Sequence, residues 1–211
     1  FWLAAGYTIS GGTWAAAMDG DATAAVSAGT FVVTRGNADM SANVSGGTWT
    51  TSSQFEFGTG TISGGTFDMT DSYFDTTTVT AGTFTLNSGC QIVSTCTFSG
   101  GTFTLTSLLY NYGVINGGTW SGGTLWSTDG YEISGGTFNN VDVTVKSQTI
   151  VDLGISGGTF DANGSVTVEG GNYGISGLIA GGTFRCPITF LGIPTQPTKV
   201  TGGTFYGAIT G

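Results

Sequence analysis

One short phrase recurs eleven times along the chain: an apolar residue, a small and mostly polar residue, Gly or Ala, Gly, Thr, then Phe or Trp, as in Phe98-Ser99-Gly100-Gly101-Thr102-Phe103. Its threonines are Thr13, Thr30, Thr48, Thr66, Thr83, Thr102, Thr119, Thr137, Thr159, Thr183 and Thr204. Successive spacings are 17, 18, 18, 17, 19, 17 and 18 residues, then 22, 24 and 21. A period of this size, sustained from one end to the other, is the mark of a chain in which each repeat is one coil stacked on the last.

Aligning the copies shows what each position must do. The glycine before the threonine is present in all eleven copies, which predicts a corner with positive φ. The position before that accepts Ala28 and Ala81, so it is expected to need only a small residue. Four residues before the threonine runs an apolar column: Ile9, Val26, Val44, Ile62, Val79, Phe98, Ile115, Ile133, Ile155, Ile179 and Val200. One residue after it runs an aromatic column: Trp14, Phe31, Trp49, Phe67, Phe84, Phe103, Trp120, Phe138, Phe160, Phe184 and Phe205. In several copies another apolar side chain follows two residues later, as Val33, Met69, Leu86 and Leu105. Side chains alternate along a strand, so that spacing turns the aromatics inward and the threonines outward. A hexapeptide-type helix also uses 18-residue coils, and Leu86–Phe103 fits three such hexapeptides, but that phase turns the aromatic column outward. Aromatics inside is the preferred phase, with handedness left open.

The expected fold class is therefore all-β: a single-domain parallel β-solenoid of about 11 coils of ~18 residues, regular over 1–137 and looser over 138–211. Gly122-Gly123-Thr124-Leu125 follows Thr119 too closely to be a coil of its own, and Gly170-Gly171-Asn172-Tyr173 reads as a decayed copy in a bulging loop. Val141-Asp142-Val143-Thr144-Val145 alternates as a strand with one buried face. Apolar residues at 39% with only 8% charged exclude the composition of a disordered chain, and 39 glycines without a triplet period exclude collagen. Cys90, Cys96 and Cys186 are too few for a disulfide scaffold and are expected to be buried as small hydrophobes.

A net charge of −9 argues against a nucleic-acid partner, because binding phosphate needs a basic surface. No apolar run approaches the ~18 residues of a membrane-spanning helix. The absence of histidine removes His-dependent triads and the usual zinc sites. The Gly-Gly pairs recur in every coil and open no helix, so they are corners and not phosphate loops. Asp21, Asp39, Glu56 and Asp75 fall eight or nine residues after four successive threonines and are expected to stack as an acidic column. Such a column is either a set of solvated corners, a site for a divalent cation such as Ca2+, or a carboxylate pair for glycoside hydrolysis. An ice-binding Thr-x-Thr array is a further reading, but its second column runs Ala15, Val32, Thr50, Asp68, Thr85, Thr104 and closes on Asp161, Arg185 and Tyr206. Asn43-Val44-Ser45 and Asn163-Gly164-Ser165 match the glycosylation acceptor, making Asn43 and Asn163 candidate modification sites.

The Gly-Gly-Thr-Phe phrases resemble those of secreted bacterial or phage parallel β-solenoids, including the adhesin and pectate-lyase-like groups. The resemblance implies the fold and transfers no catalytic residue or cofactor. Neither extremity carries an amphipathic helix, a charged strand or a proline stop, and the opening Phe1-Trp2-Leu3 reads as a trimmed start that hints at a removed export signal. Phe1, Trp2 and Leu3 at one extremity, with Thr204, Phe205 and Tyr206 at the other, are therefore the candidate assembly surfaces. The functional expectation is a non-enzymatic, self-assembling subunit of an extracellular or cell-surface filament or sheath. An adhesin or glycan-binding stalk comes second, then a polysaccharide lyase or hydrolase, or an ice-binding protein.

Overall fold

The computed structural model describes residues 2–15, 19–34, 38–93, 95–128, 131–146, 154–170, 178–191 and 198–211, with the side chains of residues 21, 22 and 38 outside that description. Among the described residues every regular element is a strand, and all the strand pairings are parallel. A representative coil runs Thr48–Thr51, Phe55–Phe57, Gly60–Ile62, and then enters the next coil at Thr66–Met69. Each coil thus contributes to three ladders. The first carries the threonine-aromatic phrase, the second follows it along the chain, and the third carries the apolar column.

Like residues meet like in the first ladder without interruption. Thr13 pairs with Thr30, Thr30 with Thr48, and so on to Thr183 with Thr204, ten pairings that bound ten coils. Eleven copies of the phrase therefore make ten coils. The third ladder is equally continuous, from Ile9 on Val26 through Ile155 on Ile179 to Val200. The Gly122–Leu125 phrase opens Thr124–Thr128 of the second ladder, and Val143, Val145, Val166 and Val168 supply that ladder's inward side later in the chain. Thr159 pairs directly with Thr183, so no coil intervenes at Gly170; residues 171–173 of that decayed copy lie outside the described residues.

The core is a continuous pile of rings. From Phe31 to Phe205, nine successive column neighbours have ring centroids 4.0–6.2 Å apart and planes within 3–17° of parallel. Each such pair contributes about 0.5–1.5 kcal/mol beyond its buried area. Tryptophan substitutes for phenylalanine because its indole finds a local acceptor: Trp49 Nε1 donates to Gly46 O at 3.3 Å and Trp120 Nε1 to Gly117 O at 3.0 Å. Inward hydroxyls and amides pair with one another, as Thr51 Oγ1 with Ser72 Oγ at 2.7 Å, and Asn111 Nδ2 donating to Ser127 Oγ at 3.1 Å. The three cysteines are free and buried as expected, and burial pushes the Cys96 thiol up to about 11.

The double-glycine corner has a clear cause. All eleven glycines before the threonine have φ between 85° and 129°. The expectation that the preceding position need only be small is corrected by its packing. At Gly46, Gly64, Gly100, Gly117, Gly135, Gly157, Gly181 and Gly202 a Cβ would lie closer than 3.0 Å to a backbone carbonyl oxygen of the preceding coil. The two coils that hold alanine there open the corner instead: Gly29 and Gly82 have the largest φ of the column, 129° and 125°.

Candidate functional site

The outer surface is built from the side chains that alternate with this core. On the first ladder the threonines face outward, and beside them Thr50 and Thr85 both pair with Asp68, so a carboxylate interrupts the second hydroxyl column.

The acidic column forms only in part. Asp39 does pair with Glu56, but the next residue on that column is Tyr73 and not Asp75. Asp75 lies two residues farther along the same strand side, and the backbone amide of Asp39 donates to Asp19 Oδ1 at 3.1 Å, which places Asp19 beside Asp39. The side chain of Asp21 lies outside the described residues. Counting from the threonine misplaced Asp75 because the corner between first and second ladders varies in length. The step from Thr30 to Asp39 is nine residues, from Thr48 to Glu56 eight, and from Thr66 to Tyr73 seven. Partial burial, then the charges of Asp39 and Asp75, hold the Glu56 carboxyl above its ordinary value. Burial likewise raises Asp39, against a hydrogen bond from Ser41 and with Asp19 and Asp75 adding to the rise. Gln54, Glu56, Tyr73, Asp75 and Val93 line an open cleft of about 330 Å3. Among the described residues no three His, Cys, Asp or Glu side chains are grouped to hold a metal ion.

Farther along the same outer column comes a group that the repeat analysis did not single out. Tyr73 pairs with Gln91, Gln91 with Tyr110, and Tyr110 with Trp126. The Tyr110 ring lies 5.6 Å from Trp126 and 6.5 Å from Tyr112, and Tyr112 meets Tyr131 edge-on at 6.2 Å. All four are half-buried on the outer face, and Trp126 Nε1, unlike the indoles of the core, is shielded with no hydrogen-bond partner. The signal for it was alternation: Tyr110 and Tyr112 flank the buried Asn111, and Trp126 sits between the buried Leu125 and Ser127.

The two asparagines differ. Asn43 lies in a strand and its Oδ1 accepts from the Thr61 amide at 3.1 Å, tying it to the next coil. Asn163 stands exposed in a turn organised by Asp161, whose Oδ1 accepts from the amides of Asn140 at 2.9 Å and Asn163 at 3.1 Å. Those amides, Asn140 first, hold the Asp161 carboxyl below its ordinary value.

The large apolar side chains exposed among the described residues all lie at the two extremes of the stack. Trp2 is 63% and Tyr7 67% exposed at one, and Leu191, Val200, Tyr206 and Ile209 are 50%, 47%, 70% and 54% exposed at the other. Of the candidate assembly residues, Trp2, Thr204 and Tyr206 are exposed, Phe205 is half-buried and Leu3 is buried at 5%; Phe1 lies outside the described residues. Trp2, Leu3, Ala4, Tyr7 and Thr8 line a cleft of about 320 Å3. No described helix is long and apolar enough to cross a membrane.

What this geometry defines is a class, the parallel β-solenoid of ten coils. Compared with protein-family models, curated proteins and solved structures, the chain finds no match.

Proposed function

We propose that this chain is a structural subunit of an extracellular filament or sheath, in which copies stack head to tail so that the three ladders run on from one to the next. The observation that carries the reading is the placement of exposed apolar surface. Among the described residues the flanks of the middle coils expose no large apolar side chain to a comparable degree, whereas both extremes do. A β edge with matching periodicity recruits another strand, and a head-to-tail contact that does not close gives a polymer. Purified protein examined by negative-stain microscopy and sedimentation should show unbranched filaments; stable monomers at high concentration overturn the reading.

A second reading, a glycan-binding stalk, is favoured by the outward group of Tyr110, Tyr112, Trp126 and Tyr131, since aromatic rings with polar handles are suited to half-wet contacts. Retention on a panel of neutral polysaccharides that is lost in Trp126→Ala supports it, and no retention on any of them removes it.

A further inference from the structure

The second ladder turns one outer column toward solvent, and the chemistry of that column changes along the stack. Asp19 stands beside Asp39, Asp39 pairs with Glu56, and the column then runs Tyr73, Gln91, Tyr110, Trp126, Thr144 and Thr167. Carboxylates give way to rings, and rings to hydroxyls. Where the acids meet the rings lies the open cleft of about 330 Å3, so that the carboxylates of Glu56 and Asp75, the Tyr73 ring and the Gln54 carboxamide line one space.

The charge of that space is unbalanced. Of the four basic residues, Lys146 is held by Glu169 at 3.1 Å, Arg185 stands over the Tyr206 ring at 5.9 Å, Lys199 lies on the third ladder, and Arg35 falls outside the described residues. Among the described residues, the charges acting on Asp39 and Glu56 are all negative, from each other's neighbours Asp19 and Asp75 and, on Glu56, from Asp39. Burial first and this repulsion next raise both carboxyls, and a cationic occupant offsets the repulsion. Among the described residues no three acidic side chains are grouped to hold a metal ion. A ring beside two carboxylates suits an ammonium group instead, because the face of tyrosine attracts an organic cation and the carboxylates accept from its N–H groups.

The column decides what carries the ammonium. Its members recur every ~4.7–4.9 Å, and a β-linked pyranose chain advances by close to that distance per sugar. An extended peptide turns a side chain to one face only every second residue, about 6.6–6.8 Å, and falls out of step. The four steps from Glu56 through Tyr73, Gln91 and Tyr110 to Trp126 cover about 19 Å, the length of a tetrasaccharide. Resting on the glycan-binding reading above, and independent of the filament, we propose that this face takes an amino-sugar chain laid along the stack axis. One ammonium sits between Glu56 and Asp75 beside Tyr73, and the following sugars lie against Gln91, Tyr110 and Trp126. The rings hold any such chain; the carboxylates select one with free amines.

Calorimetric titration of the full chain at pH 6 tests the selection with two probes, a β-1,4-linked glucosamine tetramer and its N-acetylated counterpart. The free-amine tetramer should bind about tenfold tighter. Glu56→Gln/Asp75→Asn should erase that advantage and leave the acetylated tetramer unchanged, while Trp126→Ala weakens both. Glu56→Gln relieves repulsion in the folded chain, so a loss of binding there is not a loss of fold. Tyr73→Leu, which keeps an apolar side chain and removes the ring, should weaken the amine tetramer roughly threefold. Equal affinity of the parent for the two tetramers overturns the amine assignment and leaves the glycan reading standing. Tetralysine that binds as tightly as the amine tetramer, with no loss in Tyr73→Leu, overturns it too, by showing an unselective acidic surface. Binding of neither tetramer removes the glycan reading, and the amine site falls with it.

Discussion

The coils before residue 138 and those after it share the same ladders but not the same interior. Before it, a second set of rings interlocks with the aromatic column: Phe57 meets Trp49 and Phe67 at 5.7 and 5.6 Å, and Phe74 meets Phe84 at 6.0 Å and Phe98 at 5.2 Å, all steeply inclined. After it, the column continues through Phe160 and Phe184, but the facing positions are Val143, Val145, Val166, Val168 and Ile188. The lengthened repeats have one source. The step from Phe57 to Ile62 and from Phe74 to Val79 is five residues, but from Val145 to Ile155 ten, from Val168 to Ile179 eleven, and from Phe190 to Val200 ten. The later coils therefore gain their extra residues at a single corner, between second and third ladders, and every ladder stays in register across the insertions. Chain length between strands is variable where the backbone makes no demand, and fixed where the double glycine does.

The comparison is tested most severely by removing rings. Phe84→Ala, which strips ring contacts to Phe67, Phe103 and Phe74, should cost about 5 kcal/mol, and Phe160→Ala, which strips ring contacts to Phe138 and Phe184, nearer ~3 kcal/mol. Chemical denaturation reads both, and equal losses would show that the interlocked rings of the earlier coils add nothing. Next in size is the corner. Gly157→Ala pushes a methyl into the carbonyl of Ser134 and should cost about 1–3 kcal/mol, while Gly11→Ala, with nothing within 4 Å of its Cβ, should change stability by less than ~0.5 kcal/mol. Inserting five Gly/Ser residues after Thr59 gives an early coil the long corner of a late one. It should cost no more than about 1 kcal/mol, since loop closure grows slowly with length. The same insertion between Gly64 and Gly65 should abolish cooperative unfolding.

The smallest effects are electrostatic and of opposite sign in the two regions. The Glu56 carboxyl is raised in the folded chain, so the stability linked to it is full below the unfolded-state value and is lost as pH rises through the folded one. Glu56→Gln should therefore melt higher than the parent at pH 7, with the gap closing in acid. The Asp161 carboxyl is lowered, so its contribution is present above the unfolded-state value and lost as pH falls through the folded one. Asp161→Asn should melt lower at pH 7, and that gap too should close in acid. Differential scanning calorimetry from pH 7 to pH 3 checks both.

The fold was legible because one residue type at one offset does one job in every coil. The glycine with positive φ, the inward aromatic and the outward threonine all follow from comparing copies, without any reference outside the chain. What failed was counting across a corner. Asp75 shares its offset from the threonine with Asp39 but not its place in the ladder, because seven, eight or nine residues bring different coils to the same outer position. Whether a second glycine was needed depended on a carbonyl in the preceding coil, which no single copy reveals; Ala28 and Ala81 concealed the constraint by opening their corners. The Tyr110, Trp126 and Tyr131 group was hidden for a related reason: it belongs to neighbouring coils and not to the repeated phrase.

Because each coil touches only the coils on either side, the molecule is a graduated rod whose length is adjustable in whole divisions. Excising residues 66–82 would set Thr83 on Thr48 and Phe84 on Trp49, ring again on ring, and shorten the rod by one division of about 4.8 Å. Growth or loss by duplication and deletion keeps threonine on threonine and ring on ring along the first ladder, so span becomes a property that such a chain can change without redesigning that ladder.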